Sequence, residues 1–332
     1  MDYIPIERIL EDYIENRIKI VGFDESSKTW PNTSNYAKLL ICKFGEGQIS
    51  FKDEKYIKEK IMYKPITAYI EDNKHKLTLY KEVIENFIKI IKNNFYAGPL
   101  KSDIDKIYDW FENYKKIIKN KIDDKSYNLP KLEHIINRIR TSDEILKSLI
   151  RIKEETNWGK KKNIIFLGDG IHMFQHFEFP PKEFTDFFYN FIQNFDIKYY
   201  SISKKCLLRD KEGRFILPSW EKTILNSPFL VRIPQILHYT KSITFITRLQ
   251  ASARALRFDI PDYLGSPEAV SIIENLRAFS PQGYPLCLKD AHFASELLAS
   301  ERNKFENQFY EMKYSEHTKL FFQSIREKLL LK

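Results

Sequence analysis

Ile18 to Phe23 (Ile-Lys-Ile-Val-Gly-Phe) alternates apolar and polar positions and is rich in β-branched residues, which predicts a strand. Ahead of it, Ile6, Ile9, Leu10 and Tyr13 recur at helical spacing, so Ile4–Asn16 reads as a short helix. Behind it, Lys38–Phe44 and Gln48–Lys52 read as two strands joined by a Gly45-Glu46-Gly47 turn, and Ile66–Ile70 as another strand. From Tyr80 to about Leu129 the period lengthens. Val83, Ile84, Phe87, Ile88 and Ile91 mark one amphipathic helix, and Ile104, Ile107, Tyr108, Phe111, Tyr114, Ile117 and Ile118 a second. Lysines and acids fill the opposite faces, the pattern of a solvated surface. Leu132–Lys153 is a third helix, closed by Gly159 to Asn163.

The second half alternates strand and helix. Ile164 to Leu167 is a continuous apolar run, as expected of a strand covered on both faces, and it ends in Gly168-Asp169-Gly170. Helices are predicted over Phe184–Phe195, Val270–Phe279 and Lys289–Phe309, and strands over Ile197–Ile202, Ile243–Leu249 and Ala255–Ile260. The fold class is therefore α/β: a mixed sheet flanked by helices, with the Tyr80–Leu129 segment as a helical insertion.

Composition narrows the function. With 43% hydrophobic residues, 25 Phe and 19 Tyr in 332 positions, the chain has the apolar surface that a disordered protein lacks. The 54 Lys and Arg exceed the 45 Asp and Glu, giving a net charge of +9 that attracts polyanions, nucleic acid first, and equally serves solubility. Cys42, Cys206 and Cys287 lie far apart with no CxxC pair, so neither a zinc site nor a disulfide framework is expected. The opening residues do not form a secretory leader, and no apolar run approaches the ~18 residues of a membrane span, so a cytoplasmic protein without membrane attachment is expected. No Walker pattern occurs, so the chain is not expected to hydrolyse ATP itself.

The acids carry the chemistry. Asp24 and Asp169 each follow a predicted strand, and Asp259 lies at the end of a third, in Arg257-Phe258-Asp259-Ile260-Pro261. Carboxylates converging at strand ends repel one another unless a cation sits among them, and hard oxygen donors suit magnesium or manganese. Two such ions about 4 Å apart can clamp the attacking and leaving oxygens of a phosphodiester. Each acid also fits a plainer role: Asp24 before Ser26 and Ser27 as a cap, Asp169 as a tight-turn residue, Asp259 at a sheet edge. Lys204, Lys205, Arg209, Arg248, Arg254 and Arg257 can line a phosphate groove or serve as ordinary surface cations. His172 and His176 stand at i, i+4, but no third ligand completes a zinc motif. Trp110, Phe111 and Tyr114 read as core residues.

Taken in order, five segments resemble the NurA nucleases. They are Val-Gly-Phe-Asp24-Glu-Ser, Ile-Ile-Phe-Leu-Gly-Asp169-Gly, Tyr-Ser-Ile-Ser-Lys204-Lys, Arg-Phe-Asp259-Ile-Pro, and Gly283-Tyr284-Pro285-Leu286 followed by Asp290-Ala291-His292. The resemblance implies an RNase H-like fold and a manganese- or magnesium-dependent DNA exonuclease and single-strand endonuclease. It also implies a homodimer docked on a HerA-type hexameric ATPase, in DNA end processing or anti-phage defence. On this basis residues 1–332 form one NurA-like domain, with the core in about 17–80 and 130–310 and the insertion over 81–129. Asp24, Glu144 and Asp169 are the implied metal ligands, with Glu154 and Glu155 competing with Glu144. Asp259 is a further acid, Lys204 a phosphate contact, and His292 a ligand or proton-transfer group. This chain departs from the family where Glu25 follows Asp24 in place of Gly and Ile171 follows Gly170 in place of Ser. Those departures motivate the alternative of a catalytically degenerate nucleic-acid-binding scaffold that regulates a translocating ATPase.

Overall fold

In the computed structural model a short strand, β1 (Tyr3–Pro5), precedes three long ones, β2 (Lys19–Trp30), β3 (Ala37–Ser50) and β4 (Lys60–Tyr69). Helices α1 (Asn73–Phe95), α2 (Lys101–Asp123) and α3 (Leu132–Thr156) lead to β5 (Ile164–Asp169), α4 (Lys182–Asn194) and β6 (Lys198–Ser203). Then come α5 (Ile216–Thr223), β7 (Phe229–Arg232), β8 (Ser242–Arg248), β9 (Leu256–Pro261), α6 (Ser266–Ala278) and α7 (Leu286–Ser295). The structure describes residues 3–5, 19–30, 37–50, 60–69, 73–96, 98–123, 132–160, 163–170, 182–204, 206, 212–223, 227–233, 241–301 and 303.

The nine described strands form one sheet in the order β1-β7-β8-β9-β6-β5-β2-β3-β4. β2, β3 and β4 make an antiparallel meander, β5 and β6 continue it in parallel on the other side of β2, and the remaining pairings are antiparallel. An antiparallel trio extended by two parallel strands across helical connections is an RNase H-like mixed sheet.

Side chains alternate across each strand, so each face has its own core. One face carries Phe23, Phe44 and Phe166 against the apolar stripes of α1 to α4. Phe23 stacks on Phe44 and Phe166, with ring centroids 5.6 and 5.9 Å away. The other face carries Ile20, Ile165, Leu167, Ile202 and Phe258 against α6 and α7. In α1 and α2 the sequence periodicity is realised directly: Ile84, Phe87, Ile88, Ile91, Ile104, Ile107 and Phe111 are buried while Lys89, Lys92 and Lys106 are exposed.

Four expectations change. The Gly45-Glu46-Gly47 segment is not a turn but the middle of the continuous strand β3. Its glycines serve a helix instead: a Cβ on Gly45 would stand 2.0 Å from the Ala291 carbonyl oxygen, and one on Gly47 2.0 Å from that of Cys287. Gly22 on β2 meets the same helix, where a Cβ would lie 2.7 Å from the Cys287 carbonyl carbon. These three glycines are the floor on which α7 rests, and they mimic a turn signal because both uses require a missing Cβ. Asp24 likewise does not end its strand, since β2 pairs with β3 as far as Trp30. Tyr3–Pro5 is a strand on β7 and not the start of a helix; residues 6–16 of that predicted helix lie outside the described residues. The helix predicted over Lys289–Phe309 is interrupted: α7 ends at Ser295, Glu296 turns extended and its carbonyl accepts from Lys43 Nζ at 2.9 Å, residues 299–301 and 303 are helical again, and residues 304–309 lie outside the described residues. Strand β7 and helix α5 carry no periodicity long enough to announce them.

Gly45→Ala and Gly47→Ala are expected to destabilise the protein by about 3 kcal/mol or more, because the intruding methyl meets rigid helix backbone. Chemical denaturation of each variant against the parent measures this.

Candidate active site

β2 and β5 run parallel, with Gly22 opposite Leu167 and Phe23 opposite Gly168. One step further along both strands are Asp24 and Asp169. Neighbouring strands lie about 4.8 Å apart and paired residues of parallel strands share a face, so the two carboxylates stand side by side. The face is fixed by parity. Phe23 and Phe166 enter the core under α1 to α4, whereas Leu167 enters the core under α6 and α7. Asp24 and Asp169 therefore point to the α7 side. β5 ends at Asp169; Gly170 follows at φ 122°, a value that suits glycine, with its N–H still donating to the Ile202 carbonyl of β6 at 2.8 Å.

Helix α7 completes one half of the site. His292 Nδ1 lies 2.7 Å from Asp24 Oδ2, with about half of the imidazole exposed. The Ser295 hydroxyl reaches the same oxygen at 3.3 Å. The residues just before α7 complete the other half. Gly283, at φ 76°, turns the chain so that Tyr284 enters beneath β5 and β6. Its hydroxyl is buried against Asp169, without the geometry of a full hydrogen bond. Burial, then the charges of Asp169 and Asp24, push the phenol far above its ordinary range, so it remains a neutral group. Lys204, the residue after β6, places its ammonium 3.9 Å from the centre of the Tyr284 ring and 3.9 Å from Asp169 Oδ2. Its side chain is half exposed and able to meet an incoming anion.

The structure thus gathers Asp24, Asp169, Lys204 and His292 of the predicted set, and separates the others. Glu144 lies on α3, on the opposite side of the sheet, where its charge acts on Glu25 and Tyr199. Asp259 also faces away, because its neighbours Phe258 and Ile260 occupy the core under α6 and α7. It accepts from Thr244 Oγ1 at 2.6 Å and pairs with Arg257 Nε at 2.9 Å. Burial still raises its carboxyl above the usual value. That pairing buries Arg257 beside Asp259, whereas Arg254 is exposed. Among the described residues no group of three or more His, Cys, Asp or Glu side chains is arranged to hold a metal. Lys205, Arg209, His172 and His176 lie outside the described residues. Arg248 is buried, donates to the Glu221 carbonyl at 3.1 Å and stacks on Phe229, a structural role. No described helix is long and apolar enough to cross a membrane. Trp110 and Tyr114 stack on each other and pack against the core under α1 to α4, as their spacing predicts.

Beneath Asp24, on the α3 side, Glu25 is fully enclosed and faces Lys147 at 3.4 Å; Lys147 also pairs with Asp143. Burial, the largest influence, pushes Glu25 up to about 8 against the pull of Lys147, and Asp143 and Glu144 push the same way. α3 is held to the strands a second time by Arg151, which grips Glu46 through Nε at 2.8 Å and Nη2 at 3.2 Å.

No protein-family model and no curated protein matches the chain. Solved structures do resemble it. The NurA nuclease from Sulfolobus solfataricus is 16% identical with a TM-score of 0.42, over 94% of this chain and 89% of that one. The catalytic domain of human Endonuclease V is 9% identical with a TM-score of 0.40, over 92% and 91%. A NurA structure bound to dAMP and manganese is 9% identical with a TM-score of 0.41, over 94% and 91%. At TM-scores below 0.5 these likenesses carry no residue role to this chain, and the chemistry rests on its own geometry.

The sequence-based site omitted Tyr284 and Ser295. Tyr284 was visible only as part of a Tyr-Pro segment. Ser295 carries one signal: it stands three residues after His292 and so shares its side of a helix.

Glu25 gives a pH prediction. Its folded pKa is above its unfolded value of 4.5, so the folded state binds the extra proton between about 4.5 and 8 and stability falls as pH rises through that window. Glu25→Gln is expected to remove this slope and to exceed the parent in stability above pH 8 by on the order of 2–4 kcal/mol. Urea midpoints of both proteins from pH 5 to 9 measure the difference.

Proposed function

We propose that the chain is a divalent-metal-dependent phosphodiesterase acting on DNA, a nuclease. The observation that carries this reading is the placement of Asp24 and Asp169 side by side on adjacent parallel strands, with His292 on the first and Lys204 on the second. Two adjacent carboxylates suit one hard cation, because magnesium and manganese take oxygen donors and magnesium typically keeps several waters beside one or two protein carboxylates. Asp24 and Asp169 would hold the ion. When bound, such an ion lowers the pKa of a coordinated water and polarises a phosphoryl oxygen.

The chain's own residues supply the rest. Lys204, held over the Tyr284 ring, keeps a half-exposed ammonium suited to a phosphate oxygen and to the negative charge that grows there. His292 has Nδ1 fixed on Asp24, which leaves Nε2 to exchange a proton with the attacking or leaving oxygen. The neutral Tyr284 presents a hydroxyl, not a phenolate, beside Asp169 and adds no negative charge to repel the substrate. The net charge of +9 favours a polyanionic substrate. Processing of DNA ends with a HerA-type hexameric ATPase, homodimer formation and a role in anti-phage defence belong to the same proposal and rest on the NurA resemblance of the sequence segments.

A second reading is favoured by one observation: Glu144 stands on the other side of the sheet, so among the described residues no third acid is grouped with Asp24 and Asp169 to hold a metal. A carboxylate pair of that kind also suits a degenerate scaffold that binds nucleic acid and regulates a translocating ATPase.

Asp24→Asn and Asp169→Asn are each expected to lower cleavage of labelled linear DNA in manganese by at least about 1,000-fold with the fold intact, and Lys204→Ala by about 100-fold. Cleavage assays with circular dichroism check this. Retained cleavage in either aspartate variant excludes that residue from the catalytic cation site, whereas a parent protein that does not cleave in manganese excludes the nuclease reading and leaves the scaffold.

A further inference from the structure

We propose that Ser295 is a positioning residue for this site: with Ser26 it fixes which oxygen of Asp24 is tied to the protein and which is turned toward a cation. The proposal rests on the nuclease reading above. Ser295 is wholly buried, at the last turn of α7. Its Oγ lies 2.9 Å from the His292 carbonyl, 3.3 Å from Asp24 Oδ2 and 2.9 Å from Ser26 Oγ. A hydroxyl has one proton to give and two lone pairs to receive with. With Ser26 donating into Ser295, the Ser295 proton is shared between the His292 carbonyl and Asp24 Oδ2. His292 Nδ1 contacts that same Oδ2 at 2.7 Å.

Both contacts from α7 therefore converge on one oxygen of Asp24. Both leave Oδ1, which would be the oxygen that Asp24 offers to an ion. A carboxylate held at one oxygen by two partners on a rigid helix cannot rotate freely. Holding it so reduces the ordering cost when the ion binds, which is how partners one layer behind a ligand tune metal affinity. The serine also suits its place sterically, since the glycine floor keeps α7 so close to the sheet that a hydroxyl on the helix reaches a strand side chain directly.

The test uses the full chain and manganese alone, with isothermal calorimetry of Mn2+ binding in the absence of DNA and cleavage measured as a function of Mn2+. Ser295→Ala is expected to weaken Mn2+ binding about 10-fold or more. Saturating Mn2+ is expected to restore much of kcat, a recovery that a general structural defect does not give. Ser26 is only partly buried, so Ser26→Ala tests the same relay without a cavity in the core, and a smaller loss of affinity is expected. Mn2+ affinity within about twofold of the parent in folded Ser295→Ala overturns the proposal, and so does unchanged affinity in Ser26→Ala if Ser295→Ala fails to fold. A parent protein that neither binds Mn2+ nor cleaves DNA overturns the nuclease reading itself, a result distinguishable from the failure of Ser295 alone.

Discussion

The close approach of one helix to one sheet is the constraint on which the site depends. α7 lies so near β2 and β3 that the backbone atoms of Cys287, Leu288, Ala291 and Ser295 occupy the space where side chains would stand at Gly22, Gly45 and Gly47. Sheet and helix normally keep a side-chain layer of about 10 Å between their axes. Removing that layer brings polar side chains on the helix within hydrogen-bond reach of a strand carboxylate, and His292 and Ser295 meet Asp24 for that reason. The end of the helix is pinned separately. Lys43, buried on β3, binds the Glu296 carbonyl at 2.9 Å and the Glu301 carboxylate at 3.0 Å.

The two faces of the sheet divide the ionisable groups. On the α7 side, Asp24 and Asp169 stand with Lys204 and His292, both of which are half exposed. On the α3 side, Glu25, Asp143, Glu144 and Lys147 are packed beneath Asp24. Glu25 answers this enclosure by keeping its proton, because burial outweighs the pull of Lys147. Burial disfavours the ionised form of any carboxyl whose partners do not fully compensate it, and the neighbouring acids Asp143 and Glu144 add to the effect at Glu25.

Much of this was legible in the sequence. The apolar run Ile164–Leu167 announced a central parallel strand, and the acid after it sits where such a strand meets solvent. The amphipathic stripes of α1 to α3 gave their buried faces. What sequence could not supply was parity across strands buried on both sides. In Arg-Phe-Asp259-Ile-Pro the neighbours on either side of the acid are apolar whichever face it uses, and only the packing of Phe258 and Ile260 under α6 and α7 shows that Asp259 points away from Asp169. Glu144 was misplaced for a related reason: α3 runs along the sheet, but helical spacing does not say which face it covers. The Gly45-Glu46-Gly47 segment shows the third limit, since a glycine needed for a long-range contact has the same local signature as one needed for a turn.

The central claim is that Asp24 and Asp169 form one cation site on the α7 face. Diffraction at the manganese absorption edge from crystals grown with MnCl2 tests it most directly. The account predicts an anomalous peak within about 2–2.5 Å of a carboxylate oxygen from each of these two residues. A peak instead among Glu25, Asp143 and Glu144 on the other side of the sheet, or none near either aspartate, would contradict it.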